Sequence, residues 1–167
     1  MTHGFYKDLL RWIEEANARG NRIFAQALTA QNNYEFTLDE WNLFDSIAAW
    51  REITTGTPEE RMRKMADPEL RAAVRDSYRE EQRAVGATVT RIKDLLISDV
   101  GDEKLRDLEG LSVGELAQHT GKHAVDAMLD LAVLEDLGTK FRWENKTSSW
   151  EESVRESMKH PSMLMGV

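Results

Sequence analysis

The chain has 167 residues, of which 41% are hydrophobic and 31% are charged, with a net charge of -8 and no cysteine. This length and apolar content are sufficient for a buried core, and the lack of cysteine excludes a disulfide framework and a thiolate metal site. No stretch approaches the roughly 20 apolar residues of a membrane span, and the start of the chain lacks the basic end and apolar run of a signal peptide. We therefore expect a cytoplasmic protein without a membrane partner.

Helical periodicity dominates the sequence. Apolar residues recur three and four positions apart, proline is scarce at 3 residues, and runs of alternating Val, Ile and Thr are absent. The pattern predicts an all-α protein with a long central helix packed against a buried C-terminal helix. We predict an N-terminal helical unit at 1–56, a central helical oligomerisation region at 57–138 and a tail at 139–167.

The N-terminal unit is predicted to begin with an amphipathic helix that ends at Gly20, because glycine tolerates the positive φ of a helix stop. Its apolar face carries Phe5, Leu9, Trp12, Ile13 and Ala16. A second short helix is predicted within residues 23–31. The pair is either a helical hairpin or the start of a helix-turn-helix that contacts duplex DNA. In the second case four side chains would reach phosphates and base edges: Arg19, Asn21, Arg22 and Gln26.

Charge is distributed unevenly along the chain. Residues 1–60 hold ten acidic and five basic residues, a net charge of -5, which disfavours phosphate binding by the N-terminal unit. Residues 61–93 carry nine basic against five acidic residues, whereas residues 99–137 carry three basic against ten acidic residues. These opposite charges can pair within one subunit or between subunits, and they disfavour a uniformly basic nucleic-acid surface.

Capping boxes predict two helix starts after the N-terminal pair. Thr37 with Glu40 and Thr57 with Glu60 have the spacing at which each side chain accepts a hydrogen bond from the other residue's backbone N–H. The first box predicts a helix over residues 38–53, which has a tryptophan near each end as a packing residue. The second box predicts a short helix that leads into the central region.

The central region is predicted to be one long helix from Asp67 to Ser98. Asp67 is a suitable N-cap and Pro68 suits the first helical turn. Apolar residues follow at intervals of seven and four: Tyr78, Val85, Val89 and Ile92. Such a helix would be about 45 Å long. We interpret it as a spine of the domain or as an oligomerisation rod.

Four arginines at four-residue spacing run along the predicted helix and form what we call the arginine stripe: Arg71, Arg75, Arg79 and Arg83. Like charges at this spacing repel unless a partner compensates them. The partners could be acidic residues nearby on the same helix, the acidic segment 99–137 of a neighbouring chain, or a phosphate backbone. The candidate oligomer interface comprises the stripe and the apolar residues beside it: Arg71, Arg75, Tyr78, Arg79, Arg83, Val85, Val89, Ile92 and Leu129.

The C-terminal helix is predicted to start at a third capping box, Ser112 with Glu115, and to run to Gly138, with Gly121 able to interrupt it. The segment LSVGELAQHTG is similar to the first half of the reading unit of winged-helix regulators. The second half departs from that pattern, because Asp130 falls where the recognition helix needs a buried aliphatic residue. No metal site is predicted, because the two histidines at 119 and 123 have no third ligand nearby.

Aromatic residues mark the tail. Phe141, Trp143 and Trp150 lie among polar residues and would anchor the tail in a groove of a partner, or else fold back onto the body of the protein. The sequence contains no glycine-rich phosphate loop, nucleophile elbow or metal signature. We therefore expect a non-enzymatic protein that needs no cofactor.

Four segments resemble the small terminase subunits, which are helical DNA-packaging proteins of tailed phages. These segments are EWNLFDSIAAW (40–50), YREEQRAVGATVTRIKDLL (78–96), LEGLSVGELAQ (108–118) and LDLAVLEDLG (129–138). The resemblance implies that the N-terminal helices bind packaging-site DNA, that the middle assembles a homo-oligomeric ring and that the tail docks a large ATPase subunit. Its location would be the cytoplasm of the host. The alternatives are a helical protein–protein adaptor or inhibitor that binds no nucleic acid, and a winged-helix transcription regulator.

Overall fold

A computed structural model describes residues 5–28, 30, 33–40, 44–45, 47–77, 92–144 and 150–166. The described residues form a mixed α/β protein, so the prediction of an all-α fold is wrong. The α-helices are α1 (Phe5–Ala18), α2 (Ala48–Thr54), α3 (Pro58–Ala66), α4 (Pro68–Ser77), α5 (Val113–Thr120), α6 (Ala124–Leu134) and α7 (Trp150–Ser157). The strands are β1 (Ala25–Leu28), β2 (Tyr34–Phe36), β3 (Leu96–Asp99), β4 (Lys140–Trp143) and β5 (Met163–Gly166). Two 3-10 helices span Ile92–Asp94 and Glu103–Leu108.

Two compact units divide the chain. Unit 1 combines both ends of the chain, residues 1–32 and 145–167, and unit 2 comprises residues 33–144. This division differs from the predicted ranges 1–56, 57–138 and 139–167. No helix among the described residues is long and apolar enough to cross a membrane.

Unit 1 contains a parallel pair of strands, in which β1 and β5 pair from Ala25↔Met163 to Leu28↔Gly166. The second short helix predicted within residues 23–31 is therefore wrong. Its strand partner lies at the other end of the chain, so local periodicity carries no sign of the pairing. The helix before it is confirmed, since α1 ends at Ala18 and Gly20 has a φ of 91°.

Unit 2 contains an antiparallel sheet in the order β2-β4-β3. Phe141 on the central strand pairs with Phe36 on one side and with Ile97 on the other, and its side chain is fully buried. The hydrophobic core of the described residues lies in this unit and includes Trp50 and Met128, which are also fully buried. The sheet and the helices α2 to α6 thus share one core.

Two of the predicted helix starts in unit 2 are confirmed. In α3 the Thr57 side chain accepts a hydrogen bond from the Glu60 N–H, and the Glu60 carboxylate accepts one from the Thr57 N–H. The box of Ser112 with Glu115 starts α5 in the same way. Gly121 takes up a left-handed conformation that ends α5, and α6 begins three residues later. The predicted start at residue 113 and the interruption are therefore confirmed, whereas the helix ends at Leu134 and not at Gly138.

The predicted long central helix is wrong at its C-terminal end. Helix α4 begins at Pro68 as expected, but residues 92–94 form a 3-10 helix and residues 96–99 form strand β3. The run of Leu95, Leu96 and Ile97 reads equally well as a helix face or as a buried strand, and pairing with β4 decides between them. Five residues of the predicted interface lie outside the described residues: Tyr78, Arg79, Arg83, Val85 and Val89.

The predicted helix over residues 38–53 is also wrong in its extent. Helix α2 covers only Ala48–Thr54, and residues 38–40 form a bend that follows strand β2. Trp50 is a buried packing residue as predicted, because its ring lies 4.7 Å from that of Phe44 in a stacked arrangement. Trp41 lies outside the described residues.

Candidate functional site

A cluster of charged side chains joins α4 to α6 in unit 2. The Nη1 atom of Arg71 lies 2.6 Å from Oδ1 of Asp130, and Nη1 of Arg75 lies 2.7 Å and 2.9 Å from the two oxygens of Asp126. Lys122 donates to the other oxygen of Asp130 at 2.6 Å. Arg71 also donates through Nε to the backbone oxygen of Met65 at the end of α3. The cluster therefore ties three helices together.

Matching helical spacing brings these groups together. Arg71 and Arg75 are four residues apart on α4, and Asp126 and Asp130 are four residues apart on α6. Each arginine therefore hydrogen-bonds one aspartate, and Arg71 also lies 3.8 Å from Asp126. The acidic partner of the first two arginines of the stripe thus comes from segment 99–137 of the same chain. A neighbouring chain is not needed to compensate them.

The environment of Asp130 sets its protonation. Partial burial acts to raise the pKa of Asp130, but hydrogen bonds from Lys122 and Arg71 outweigh this effect and leave the pKa below its ordinary value. Both carboxylates of the cluster accept hydrogen bonds from cations. This arrangement suits a structural tie between helices better than a general base, which needs a carboxylate free to accept a proton.

Helix α6 is the helix that a winged-helix regulator would insert into a DNA groove. In this chain one side of α6 is apolar and buried, through Val125, Met128 and Leu129, and α3, α4 and α5 all contact the helix. The side that carries Asp126 and Asp130 is covered by the arginines of α4. Helix α6 therefore presents no positive charge to phosphates, and Leu134 at its C-terminal end is its one exposed residue.

The aromatic residues predicted to dock a partner are divided between the two units. Phe141 is part of the core of unit 2, and Trp143 is half-buried with its ring stacked 5.2 Å from that of Tyr34. Trp150 begins α7 in unit 1, where it is half-buried. Two residues of the predicted oligomer interface, Ile92 and Leu129, are fully buried within unit 2.

The four candidate DNA-binding residues lie in unit 1. Arg19 and Arg22 are exposed near the C-terminal end of α1. The Asn21 side chain donates to the backbone oxygen of Ala16 at 2.8 Å, so it caps α1. Gln26 is an exposed residue of β1 whose side chain fills the space where Gly166 lacks a Cβ. Only the two arginines therefore offer charged groups to a ligand.

Exposed apolar side chains concentrate in unit 1. Seven large hydrophobic side chains are exposed among the described residues, and six of them belong to this unit. These six are Leu9, Trp12, Phe24, Met158, Leu164 and Met165, and the seventh is Leu134 in unit 2. Sequence reasoning missed this surface because it assigned Leu9 and Trp12 to the buried face of α1. One sequence signal points to it, since residues 23–34 and 161–167 contain no charged residue.

Polar contacts hold the two ends of the chain together within unit 1. The Tyr6 hydroxyl donates to Glu156 at 2.7 Å, and this hydrogen bond raises the pKa of Tyr6. The Asn17 amide donates to the Ser162 hydroxyl at 3.1 Å. These bonds join α1 to α7 and to the segment before β5, so the surface of unit 1 depends on both termini.

Comparison with protein-family models, curated proteins and solved structures finds no match to this chain.

Proposed function

We propose that the protein is a non-enzymatic protein–protein adaptor that contacts its partner through unit 1. The observation that carries this proposal is the concentration of exposed apolar side chains in unit 1, six of the seven among the described residues. Contiguous exposed apolar surface is typical of protein interaction sites. Leu9 and Trp12 lie three residues apart on α1, so they share one side of the helix. This pair, which we call the α1 patch, is the proposed contact site.

The exposure of Trp12 is large enough to matter for binding. Its side chain is 52% exposed, which leaves roughly 100 Å² of indole surface for a partner to cover. Tryptophans that insert into a partner pocket are among the commonest energetic anchors of interfaces. A helix that offers a tryptophan and a leucine at this spacing fits an apolar groove on a folded protein.

The net charge of unit 2 favours a protein over duplex DNA as a ligand of that unit. Residues 33–144 hold 24 acidic and 15 basic residues, a net charge of -9. The acidic side of α6 is paired with arginines of the same chain. A surface of this sign repels a phosphate backbone, whereas a protein partner imposes no such requirement.

Affinity capture tests the adaptor proposal with matched substitutions. The wild-type protein, Trp12→Glu and Leu134→Glu are immobilised and exposed to lysate of the organism that encodes the chain, and circular dichroism confirms that each variant is folded. We expect a protein that the wild type and Leu134→Glu retain and that Trp12→Glu loses by tenfold or more. Equal retention by all three, or no retained protein, would contradict the proposal.

A DNA-associated role of the small terminase type is the second proposal, and unit 1 is where it would reside. Its seven basic and six acidic residues give a net charge of +1, in contrast to unit 2, and Arg19 and Arg22 are exposed there. In this role the chain would form a homo-oligomeric ring and bind packaging-site DNA together with a large ATPase.

Fluorescence anisotropy with a labelled duplex distinguishes the two proposals. A DNA-associated protein would bind with an affinity that falls steeply between about 50 and 200 mM salt. It would lose this binding in the Arg19→Ala/Arg22→Ala double variant but keep it in Arg11→Ala, whose side chain lies 3.6 Å from Asp8. The adaptor proposal expects no saturable binding at either salt concentration. Light scattering on the same samples shows whether a ring-sized assembly forms.

A further inference from the structure

The sheet of unit 1 has two strands, and its hydrogen bonds show which backbone groups of β1 lie on the outer edge. The Ala25 N–H donates to the Ser162 oxygen at 3.0 Å, so Ala25 and, by the parallel register, Ala27 direct their backbone groups to β5. Strand residues alternate in the direction of these groups. The N–H and C=O groups of Gln26 and Leu28 therefore point to the edge of β1 that no described strand pairs.

One face of this sheet is also exposed. In a parallel register, paired residues share a face, so Gln26 and Leu164 lie on the same face, and Phe24 has the same parity just before β1. Phe24 is 57% exposed and Leu164 is 59% exposed. On the opposite face Ala25 and Ala27 are half-buried, and Met165 is 38% exposed. The outer edge of β1 therefore borders an apolar face.

Natural sheets protect an open edge with charged residues, proline or a bulge. Strand β1 has none of these, because its sequence is AQAL and no charged residue occurs in residues 23–34. A two-stranded sheet is also marginally stable by itself. Among the residues of unit 1 whose burial is described, Ile13, Ala16 and Ser157 are the buried ones. This unit therefore gains from any element that extends its sheet.

We infer that the outer edge of β1 pairs in an antiparallel manner with β1 of a second copy of the chain. The two-fold axis would pass between the two Ala27 residues, and Gln26 of each copy would exchange both backbone hydrogen bonds with Leu28 of the other. The result is a four-stranded sheet in the order β5-β1-β1-β5. This self-association does not depend on the α1 patch or on the identity of its partner.

Three features favour a second copy over another occupant. An isologous contact places each residue near its own equivalent, and an uncharged edge brings no like charges together. The two Ala27 residues on the axis would form a non-hydrogen-bonded pair, in which the Cα atoms approach to about 4.5 Å. The small side chain of alanine suits this close approach. The exposed sheet faces of the two copies would become continuous, which places Phe24 and Leu164 of each copy on one surface.

The available area sets the strength of the pairing. Edge pairing is made by backbone hydrogen bonds and leaves the sheet faces uncovered, so it buries far less than the roughly 800 Å² per partner of a stable interface. We therefore expect a weak dimer that dissociates at low protein concentration. Light scattering at low concentration would record a monomer, so the experiment must cover a wide range of concentration.

Sedimentation velocity from about 1 to 300 µM tests the pairing with three variants. Gln26→Pro removes the N–H that points to the outer edge and leaves the bonds of Ala25 and Ala27 to β5. Gln26→Lys places a charge on the edge strand, where pairing would bring like charges of the two copies together, and Leu134→Lys places the same charge on unit 2. We expect a monomer–dimer equilibrium in the wild type and in Leu134→Lys, and at least tenfold weaker association in the other two variants.

Hydrogen exchange on the wild-type protein gives a result that needs no variant to fold. The amides of Gln26 and Leu28 should exchange slowly at high protein concentration and quickly at low concentration, whereas those of Ala25 and Ala27 should be protected at both. A chain that is monomeric throughout, an assembly larger than a dimer, or a dimer in which these amides exchange at one rate at all concentrations would overturn the inference.

Discussion

Unit 2 surrounds Trp50 and Phe141 with apolar side chains until both are fully buried, whereas unit 1 leaves Trp12 and Phe24 more than half exposed. The two units also differ in charge, which is -9 in unit 2 and +1 in unit 1. Unit 2 thus has a hydrophobic core of its own and a net negative charge. Unit 1 is the contact region in our proposals, because it carries six of the seven exposed large apolar side chains among the described residues.

This contrast separates stability from binding. Substitutions of apolar or charged residues in unit 2 should change the free energy of unfolding, while comparable substitutions in unit 1 should change association and leave that free energy nearly unaltered. Paired variants of the same residue type in both units test the contrast directly.

The largest effect is expected for a tryptophan pair. Trp50→Ala removes a fully buried ring that stacks 4.7 Å from Phe44 and should lower the free energy of unfolding by about 3–5 kcal/mol. Trp12→Ala removes an exposed ring and should cost less than about 1 kcal/mol. Urea unfolding followed by circular dichroism measures both. Similar losses in the two variants would show that the units do not differ in packing as described.

An aspartate pair should show the next largest effect. Asp126→Ala leaves Arg75 without a carboxylate in a half-buried place, while Arg71 keeps Asp130, and it should cost about 2 kcal/mol. Asp8→Ala breaks the exposed pair with Arg11 in unit 1 and should cost about 0.5 kcal/mol or less. Urea midpoints give both values. If adding Arg75→Ala to Asp126→Ala recovers none of the loss, the cost arises from packing and not from the uncompensated charge.

These contrasts could be foreseen only in part from the sequence. The capping boxes at Thr57 and Ser112 and the helix stop at Gly121 depend on residues within four positions of one another, and all three were correct. The strands were missed because their partners are remote, as in the pairing of Ala25 with Met163. Four-residue strands also contain too few alternations to stand out against a helical background.

The candidate sites, like the fold, could be predicted only in part from the sequence. Charge counts indicated that a basic segment and an acidic segment would pair, and the equal spacing of Arg71/Arg75 and Asp126/Asp130 could have named the partners. Whether the pairing stays within one chain depends on how α4 packs against α6, and local sequence patterns do not predict this packing. The exposure of Trp12 could not be predicted from local sequence either, since a helix can bury either side of an apolar stripe.

A glycine pair should show a smaller effect. A Cβ at Gly114 would lie 2.9 Å from the backbone oxygen of Lys93, so Gly114→Ala in α5 should cost about 1–2 kcal/mol although alanine normally favours a helix. A Cβ at Gly166 would meet only the Gln26 side chain, which can move away. Gly166→Ala should therefore cost less, and Gln26→Ala should relieve it. Thermal unfolding compares the variants, and a stabilised Gly114→Ala would contradict the close contact.

The smallest effect concerns pH and again belongs to unit 2. The pKa of Asp130 in the folded chain lies below its ordinary value of 3.8, because hydrogen bonds from Lys122 and Arg71 outweigh the effect of burial. The stability that this carboxylate contributes is complete well above pH 3.8, and it is lost as pH falls through the lower folded pKa. Thermal midpoints between about pH 6 and pH 2 should therefore decline less steeply in Asp130→Asn than in the wild type. Parallel curves would mean that the charge of Asp130 is not stabilised by folding, and that the tie between α4 and α6 rests on the Arg75–Asp126 pair.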